Sequence, residues 1–278
     1  MKLGFNTNGL ACHRWQEGLA LLAETGYRAA ALTLDHHFLD PYARNLSNGM
    51  DEARKLLKQL DLAVVVETGA RFLLNPRIKH DPTLMSPTPE ERARRIDFLI
   101  RSIDIACELE AEAVSFWSGT LIENITEDRA FERLADACRP VIDHAESRKM
   151  RLAFEPEPGM FIDTMDRYAK LKERLPSPFF GLTLDVGHVH CLNDGSIPDR
   201  ILEWKDWLWN VHIEDMLPGV HDHLRFGDGT IDFPPIIAAL KSIDYQGCLN
   251  VELSRHSHMA PQVLRESYGF LSGLIQQA

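Results

Sequence analysis

The sequence predicts an α/β protein made of a single domain, a closed (β/α)₈ barrel of the TIM type that spans residues 1–278. Short apolar runs alternate eight times with longer segments of helical periodicity, which is the order of strands and helices in that fold. The runs are nearly continuously apolar, as strands are when helices cover a parallel sheet. A doubly wound open sheet is the alternative, but it would carry a glycine-rich phosphate loop after the first strand, and residues 6–10 are not one.

The apolar runs place eight strands at residues 2–8, 29–35, 62–68, 113–119, 151–157, 180–187, 208–214 and 247–253. Apolar residues at three- and four-residue spacing predict helices near 15–25, 51–60, 89–110, 127–149, 164–174, 197–206, 233–243 and 261–275. The clearest helix start is at Thr88, where a proline follows the N-cap threonine and Glu91 completes a capping box. The longest irregular stretches, 69–88 and 216–232, follow the third and seventh strands, on the face where such barrels have their active sites.

The composition argues against several classes of protein. A formal net charge of −11 disfavours binding to the phosphate backbone of a nucleic acid, so no nucleic acid partner is expected. The five cysteines are scattered and lack CxxC spacing, which predicts reduced thiols in a cytoplasmic protein rather than disulfides or a zinc ribbon. No apolar run reaches 18 residues and no signal peptide is recognisable, so no membrane partner is expected.

Four acidic or histidine side chains stand at the ends of the last four predicted strands: Glu155, Asp185, His212 and Glu252. One such residue alone is more often a cap, a surface ion pair or a core residue. In a closed barrel, however, all strand ends face one mouth, so the four should converge. Each pair of carboxylates about 4 Å apart would cost about 4 kcal/mol at an effective dielectric near 20, and a divalent cation removes that cost. The donors predict one divalent metal ion, Mn²⁺, Mg²⁺ or Co²⁺, with Zn²⁺ or Fe²⁺ as alternatives.

Five segments resemble a known family, the xylose isomerase-like TIM-barrel superfamily. These segments are Phe154–Gly159, Leu184–His188, Val211–Asp215, Gly227–Asp232 and Val251–Glu252. The family includes sugar phosphate isomerases and epimerases, ketose 3-epimerases, hydroxypyruvate isomerase, inosose dehydratase and endonuclease IV. For its epimerase branch, the resemblance implies a Glu–Asp–His–Glu metal shell at the four residues above. It also implies that Glu155 and Glu252 act as the acid/base pair on opposite faces of the substrate.

Further residues are candidates for contact with the substrate. His188 corresponds to a substrate-binding histidine of the family, and His223 stands where epimerases have an arginine and endonuclease IV has a metal-binding histidine. Arg71 and His80 follow the third strand; Arg71 would recognise a phosphate or carboxylate, or else form an ion pair with a loop carboxylate. Trp117 ends the fourth strand and would be either a wall against a sugar ring or a core residue.

The second strand ends in Asp35, His36 and His37, which we expect in a solvated loop. Endonuclease IV has metal-binding histidines after its second and third strands, roles that His37 and His80 would have to fill. Its Asp-x-His motif after the seventh strand reads His221-Asp-His223 here, which keeps only the histidine. Together with the acidic total charge, these departures favour small-molecule chemistry over DNA repair.

The sequence therefore predicts a divalent-metal-dependent isomerase or epimerase of a sugar, sugar phosphate or polyol. Glu155 or Glu252 would remove the proton between a carbonyl and a hydroxyl carbon, forming a cis-enediolate that the metal stabilises. A dehydratase of the inosose type is the alternative on the same site, because a β-hydroxyl can leave from that intermediate. Endonuclease IV-like repair and a non-catalytic metal- or ligand-binding barrel are less favoured. The expected partner is a small carbohydrate or polyol, and homo-oligomer formation is compatible with the sequence.

Overall fold

Short runs of alanine, valine, leucine and phenylalanine form the strands of the chain, whose computed structural model describes residues 1–36 and 38–277. Eight of the strands pair in parallel and close into a barrel, in the order β1-β2-β3-β4-β5-β6-β7-β10 and back to β1, which confirms the predicted fold. The described part contains the strands β1 (Lys2–Asn6), β2 (Ala29–Thr33), β3 (Ala63–Glu67), β4 (Ala113–Phe116), β5 (Leu152–Phe154), β6 (Phe180–Asp185), β7 (Leu208–Ile213), β8 (Asp215–Leu217), β9 (Val220–Leu224) and β10 (Cys248–Val251).

Helices cover the outside of the barrel and connect its strands. They are α1 (Trp15–Thr25), α2 (Leu46–Gln59), α3 (Pro89–Glu108), α4 (Glu127–Arg148), α5 (Met165–Arg174), α6 (Val186–Leu192), α7 (Ile197–Glu203), α8 (Phe233–Ser242) and α9 (Ala260–Gln277). The capping box that begins α3 is present, because Thr88 accepts from the amide of Glu91 and the Glu91 carboxylate accepts from the amide of Thr88. Within residues 1–36 and 38–277, no helix combines the length and apolar character that crossing a membrane requires.

The main apolar core lies between the barrel and the helices. Phe116, Phe154 and Phe180 come from adjacent strands and pack edge to face, with ring centroids 5.1 Å apart for the first two and 5.8 Å for the last two. Tyr168 of α5 stacks on Phe154 at 6.0 Å. Each fully buried aromatic ring stabilises the fold by about 1.5–3 kcal/mol, so this layer holds the helices onto the sheet.

The inside of the barrel is polar where it approaches the mouth. We define the lumen layer as Asn6, Thr33, Ser115, Thr183, Asn210 and Asn250, all of which are buried. Their side chains form hydrogen bonds inside the barrel: Thr33 donates to Asn6 at 2.8 Å, Thr183 donates to Ser115 at 3.0 Å, and Asn250 donates to Asn210 at 2.9 Å. Side chains on a strand alternate between its faces, so residues two positions further along point into the same lumen.

The strands end earlier than the sequence predicts. β5 ends at Phe154 and β10 at Val251, so Glu155 and Glu252 are the first residues beyond their strands. Their backbone amides still donate to the neighbouring strands, Glu155 to Phe116 at 2.8 Å and Glu252 to Ile213 at 3.4 Å. The two carboxylates therefore keep the direction that the barrel imposes, although the regular ladder stops at its rim.

Three connections also differ from the prediction. The stretch 216–232, read as irregular, contains the antiparallel hairpin of β8 and β9, which turns at Gly219 with φ of 74°. The helix α6 begins directly after β6, and the carboxylate of Asp185 caps it by accepting from the amide of His188 at 2.9 Å. The helix α2 begins at Leu46 rather than at residue 51. Charged or polar residues interrupt the apolar pattern in each of these segments, which hides them from a reading of periodicity.

Replacing Phe180 with alanine should lower the free energy of unfolding by about 3–5 kcal/mol, because it leaves a cavity among three aromatic rings. Phe72→Ala is the matched control, since that ring is 52% exposed and should cost less than about 1 kcal/mol. Equilibrium unfolding in urea measures both. Equal losses for the two variants would show that the aromatic layer does not carry the stability assigned to it.

Candidate functional site

A cavity of about 210 Å³ opens at the C-terminal end of the barrel. It is lined by residues that end or follow most of the barrel strands, as expected for the mouth of such a fold. Of the nine site residues predicted from the sequence, Asp185 is buried among the lining residues, and the other eight line the cavity: Arg71, His80, Trp117, Glu155, His188, His212, His223 and Glu252.

The four predicted metal ligands converge below this cavity. Each of Glu155, Asp185, His212 and Glu252 offers one donor atom, and these atoms all lie within 4.8 Å of one another. The His212 Nδ1 atom is 2.9 Å from Glu155 Oε1, 3.0 Å from Glu252 Oε2 and 3.9 Å from Asp185 Oδ2. The parallel register explains the convergence, because Asp185 and His212 are direct partners on β6 and β7.

Burial and charge perturb every group in this cluster. Burial raises the pKa of Glu155 well above its ordinary value, against the attraction of His212. Burial alone would lower the pKa of His212, but Glu155, Glu67 and Glu252 raise it well above its ordinary value. Burial would likewise raise the pKa of Glu252, yet His212 holds it below its ordinary range. One imidazole thus faces three carboxylates, and its single positive charge cannot neutralise all three.

The residues present fit a divalent cation. Asp185 Oδ2 is buried and has no hydrogen-bond partner among the described residues, which is costly for a charged oxygen unless a cation faces it. Three carboxylate oxygens and one imidazole nitrogen form the mixed donor set that Mn²⁺, Co²⁺ and Zn²⁺ accept in proteins. The candidate metal site is therefore satisfied chemically by an ion, whose identity the donors do not decide.

Two polar residues that the sequence analysis did not select hold the ligands in place. The carboxylate of Glu67 lies 3.0 Å from His212 Nε2, so it accepts the proton on that nitrogen and would leave Nδ1 available to bind a metal ion. Asn8 donates to Glu252 Oε1 at 2.7 Å. Glu67 is the last residue of β3, as Asp185 is of β6, so its position was a usable signal.

A second group of imidazoles adjoins the four ligands. His188 donates from Nδ1 to the carbonyl oxygen of Pro156 at 3.1 Å, and its Nε2 atom lies 3.1 Å from His221 Nε2. Burial lowers the pKa of His188 to about 4, so its ring is neutral and accepts from His221. The donor atoms of His188, His221 and His223 also lie within 4.8 Å of one another.

His223 faces a carboxylate that no hydrogen bond satisfies. Glu214 is completely buried, neither of its oxygens has a hydrogen-bond partner in the described part of the chain, and Oε2 lies 3.8 Å from His223 Nδ1. Burial alone would lower the pKa of His223, but Glu214 holds it at about 10. Burial at the same time raises the pKa of Glu214 well above its ordinary value, so the two groups hold a proton between them, at the position where the epimerases, by the resemblance, carry an arginine.

The loop after β3 places Arg71 and His80 at the mouth. Ala70, Arg71 and His80 have φ angles of 59°, 40° and 68°, values uncommon for residues other than glycine. Arg71 Nη1 lies 3.3 Å from Asp35 Oδ2, so the structure contains the ion pair with a loop carboxylate. Asp35 is 1% exposed, so the solvated loop predicted for it is wrong; it is buried because it faces this arginine. The neighbouring His36 is 75% exposed, and His37 lies outside the described residues.

Trp117 and Glu157 complete the wall of the cavity. Trp117 is 6% exposed and lines the cavity, so it is both a core residue and a wall. The buried guanidinium of Arg95 lies 4.5 Å from its ring centre, and the ring centroid of His80 lies 5.6 Å away in a T-shaped contact. Glu157 lines the cavity outside the four-ligand group, and burial raises its pKa to about 7. Glu157 lies two residues after Glu155, but no role is predicted for it from the sequence.

Comparisons with known proteins agree with this architecture. A sequence profile of the family described as xylose isomerase-like TIM barrel matches residues 19–274. The L-ribulose-5-phosphate 3-epimerase UlaE of Salmonella paratyphi C is 22% identical over 240 residues, covering 86% of this chain and 82% of that protein. The crystal structure of D-allulose 3-epimerase from Methylomonas sp. has a TM-score of 0.79 at 18% identity, covering 99% of this chain and 98% of that one. The IOLI protein, solved with a bound zinc atom, has a TM-score of 0.80 at 17% identity, covering 100% and 99%.

Replacing Asp185 with asparagine should weaken Mn²⁺ binding at least 100-fold, because it removes a charged oxygen that has no other partner. Glu67→Gln should weaken it about 10–100-fold, the usual cost of removing the group that orients a histidine ligand. Isothermal titration calorimetry on apoprotein measures both. Asp199→Asn is the control, since this exposed residue of α7 lies on the outer surface and should bind Mn²⁺ like the wild type. Unchanged affinity in Asp185→Asn would contradict the site.

Proposed function

The chain belongs to the xylose isomerase-like TIM barrel family, and from this membership we propose that it is a metal-dependent sugar epimerase or isomerase. One observation carries the proposal. Glu155 and Glu252 follow strands on opposite sides of β6 and β7, and their carboxylates meet the same nitrogen of His212 at 2.9 and 3.0 Å. Two carboxylates that flank one site are what proton removal from one face of a carbon and return to the other face require.

The four converging residues would hold one divalent ion, Mn²⁺, Mg²⁺, Co²⁺ or Zn²⁺. Such an ion, when bound, polarises the carbonyl and adjacent hydroxyl of a substrate and acidifies the C–H bond between them. Several relatives support this chemistry by their names: UlaE is an L-ribulose-5-phosphate 3-epimerase, and the allulose enzyme acts at the same ketose carbon. The substrate class we propose is accordingly a ketose or a related polyol.

The residues of this chain then have separate tasks. One of Glu155 and Glu252 takes the proton from the carbon, and the other returns a proton to the opposite face. Asn8 fixes the second oxygen of Glu252, so that carboxylate keeps its direction while the substrate moves. His223, which lies beside Glu214, donates a hydrogen bond to a substrate oxygen, as the arginine would in the epimerases. Trp117 covers the substrate on the side of β4 and excludes water from the charged groups.

A dehydratase on the same site is the second candidate. Its support is Glu157, a carboxyl group that lines the cavity but lies outside the four-ligand group. There it would protonate a hydroxyl group that leaves from the carbon next to the enediolate. A cytoplasmic location and the absence of a nucleic acid partner stay predictions from the sequence.

Glu155→Gln and Glu252→Gln should each lower turnover at least 1,000-fold, because an amide neither takes nor returns the carbon-bound proton. The measurement is proton NMR in D₂O with saturating Mn²⁺ and a panel of ketoses and keto-inositols, following exchange of the C–H proton. Glu132→Gln, an exposed substitution on α4, is the control and should keep full activity.

The products of the wild type separate the candidates. Exchange with inversion or carbonyl migration indicates an epimerase or isomerase, and loss of water indicates a dehydratase. Wild-type activity in either glutamine variant with metal bound would remove that glutamate from the acid/base pair. A panel without exchange, despite bound metal, would favour a non-catalytic binding barrel.

A further inference from the structure

The cations around the cavity are nearly all neutralised by carboxylates of the same chain. Among the described residues, the arginines and lysines that line it are Arg71, Lys79 and Arg255. Arg71 Nη1 lies 3.3 Å from Asp35 Oδ2, and Arg255 Nη1 lies 2.8 Å from an oxygen of Asp222. Neither aspartate lines the cavity itself. Only Lys79 lacks an ion pair within the described part of the chain, and it is exposed to solvent.

Asp35 is built into the structure rather than placed at its surface. Its carboxylate is 1% exposed, and its backbone exchanges hydrogen bonds with Phe38, both at 3.0 Å. One oxygen accepts from the amide of His36 at 2.6 Å, which leaves the other oxygen directed at Arg71. The carboxylate therefore cannot turn away from Arg71 without losing the hydrogen bond from the amide of His36.

Arg71 is held from two sides, because two of the five N–H groups of its guanidinium face partners in the same chain. Its Nη2 atom donates to the carbonyl oxygen of Asn8 at 3.0 Å, while Nη1 faces Asp35. Bidentate recognition of a phosphate uses two adjacent N–H groups of the guanidinium, and here Asn8 and Asp35 each compete for one of its terminal nitrogens.

The remaining charge of the cavity is negative. Glu67, Glu155, Glu157 and Glu252 line it, whereas Lys79 is the unpaired cation among the described lining residues and His223 already faces Glu214. A phosphate group carries about 1.5 to 2 negative charges at neutral pH and would meet these groups without a free arginine to offset them. An uncharged polyhydroxy chain meets no such repulsion and finds donors and acceptors on every wall.

We propose that Asp35 is a specificity-determining residue, which occupies Arg71 so that the site selects an uncharged sugar or polyol over its phosphate ester. This inference rests on the proposed function, because it names the substrate class of that same cavity. Arg71 then donates a hydrogen bond to a hydroxyl group at the far end of the substrate, while Asp35 neutralises its charge.

The test is phosphate binding to metal-loaded protein. Asp35→Asn keeps the shape of the side chain and frees the charge of Arg71, so it should bind inorganic phosphate at least ten-fold more tightly than the wild type by calorimetry. Asp51→Asn is the matched control: this carboxylate pairs with Arg54 at 2.8 Å on α2, away from the cavity, and its loss changes the net charge equally. Any phosphate that binds the metal itself contributes equally to all three proteins.

An affinity for phosphate in Asp35→Asn within two-fold of the wild type would overturn the inference, and so would an equal gain in Asp51→Asn. Thermal unfolding checks that each variant is folded. Should Asp35→Asn fail to fold, the wild type alone decides, through kcat/KM for L-ribulose and for L-ribulose 5-phosphate measured by C–H exchange. At least a ten-fold preference for the free ketose supports the inference, and equal or higher kcat/KM for the phosphate overturns it.

The two proposals fail in different ways. Turnover of the phosphate ester in preference to the free sugar would leave the epimerase proposal intact and remove only the role of Asp35. Absence of exchange with every ketose would count against the epimerase, while the comparison of phosphate affinities in wild type, Asp35→Asn and Asp51→Asn would still decide the role of Asp35.

Discussion

Three carboxylates directed at one imidazole nitrogen are the constraint on which the barrel mouth is built. Side chains that carry like charges do not approach so closely unaided, since each pair costs about 4 kcal/mol at an effective dielectric near 20. The strands hold them there: the register of β6 and β7 sets Asp185 beside His212, and backbone hydrogen bonds direct Glu155 and Glu252 from beyond the ends of their strands. Burial of the aromatic rings between the barrel and the helices stabilises the fold and offsets this electrostatic cost.

The buried polar residues of the lumen layer support the metal ligands from inside the barrel. Asn210 lies two residues before His212 and donates to Glu67 at 3.3 Å, while it accepts from Asn250 at 2.9 Å. The group that orients His212 is therefore itself held by a buried network that reaches across the barrel. Such networks are costly when one partner is missing and rigid when all are present. The metal ligands are consequently held by a rigid polar layer, and the substrate does not have to bring them into position.

Much of this arrangement could be predicted from the sequence, because strand ends in a closed barrel all face one way. Glu155, Asp185, His212 and Glu252 each end or follow an apolar run, and this alone brings them together. Glu67 obeys the same rule and was overlooked, since nothing local distinguishes an orienting carboxylate from a ligand. The identity of the carboxylate that pairs with Arg71 could not be predicted from the sequence, because Asp35 is 36 positions away on another loop. Pairing between distant loops leaves no periodic trace.

The hairpin of β8 and β9 carries two cavity-lining histidines, His221 and His223, outside the barrel strands, and this bears on how such barrels diversify. His221 and His223 project from one face of β9, whereas Asp222 between them projects from the other and meets Arg255. Lengthening the hairpin by a single residue would rotate both imidazoles out of the cavity together and bring a carboxylate in. The four predicted metal ligands lie on or directly after barrel strands, so their positions would not change. Substrate preference in this architecture is thus free to change in discrete steps, by indels in a peripheral ribbon, while the reactive centre is inherited intact.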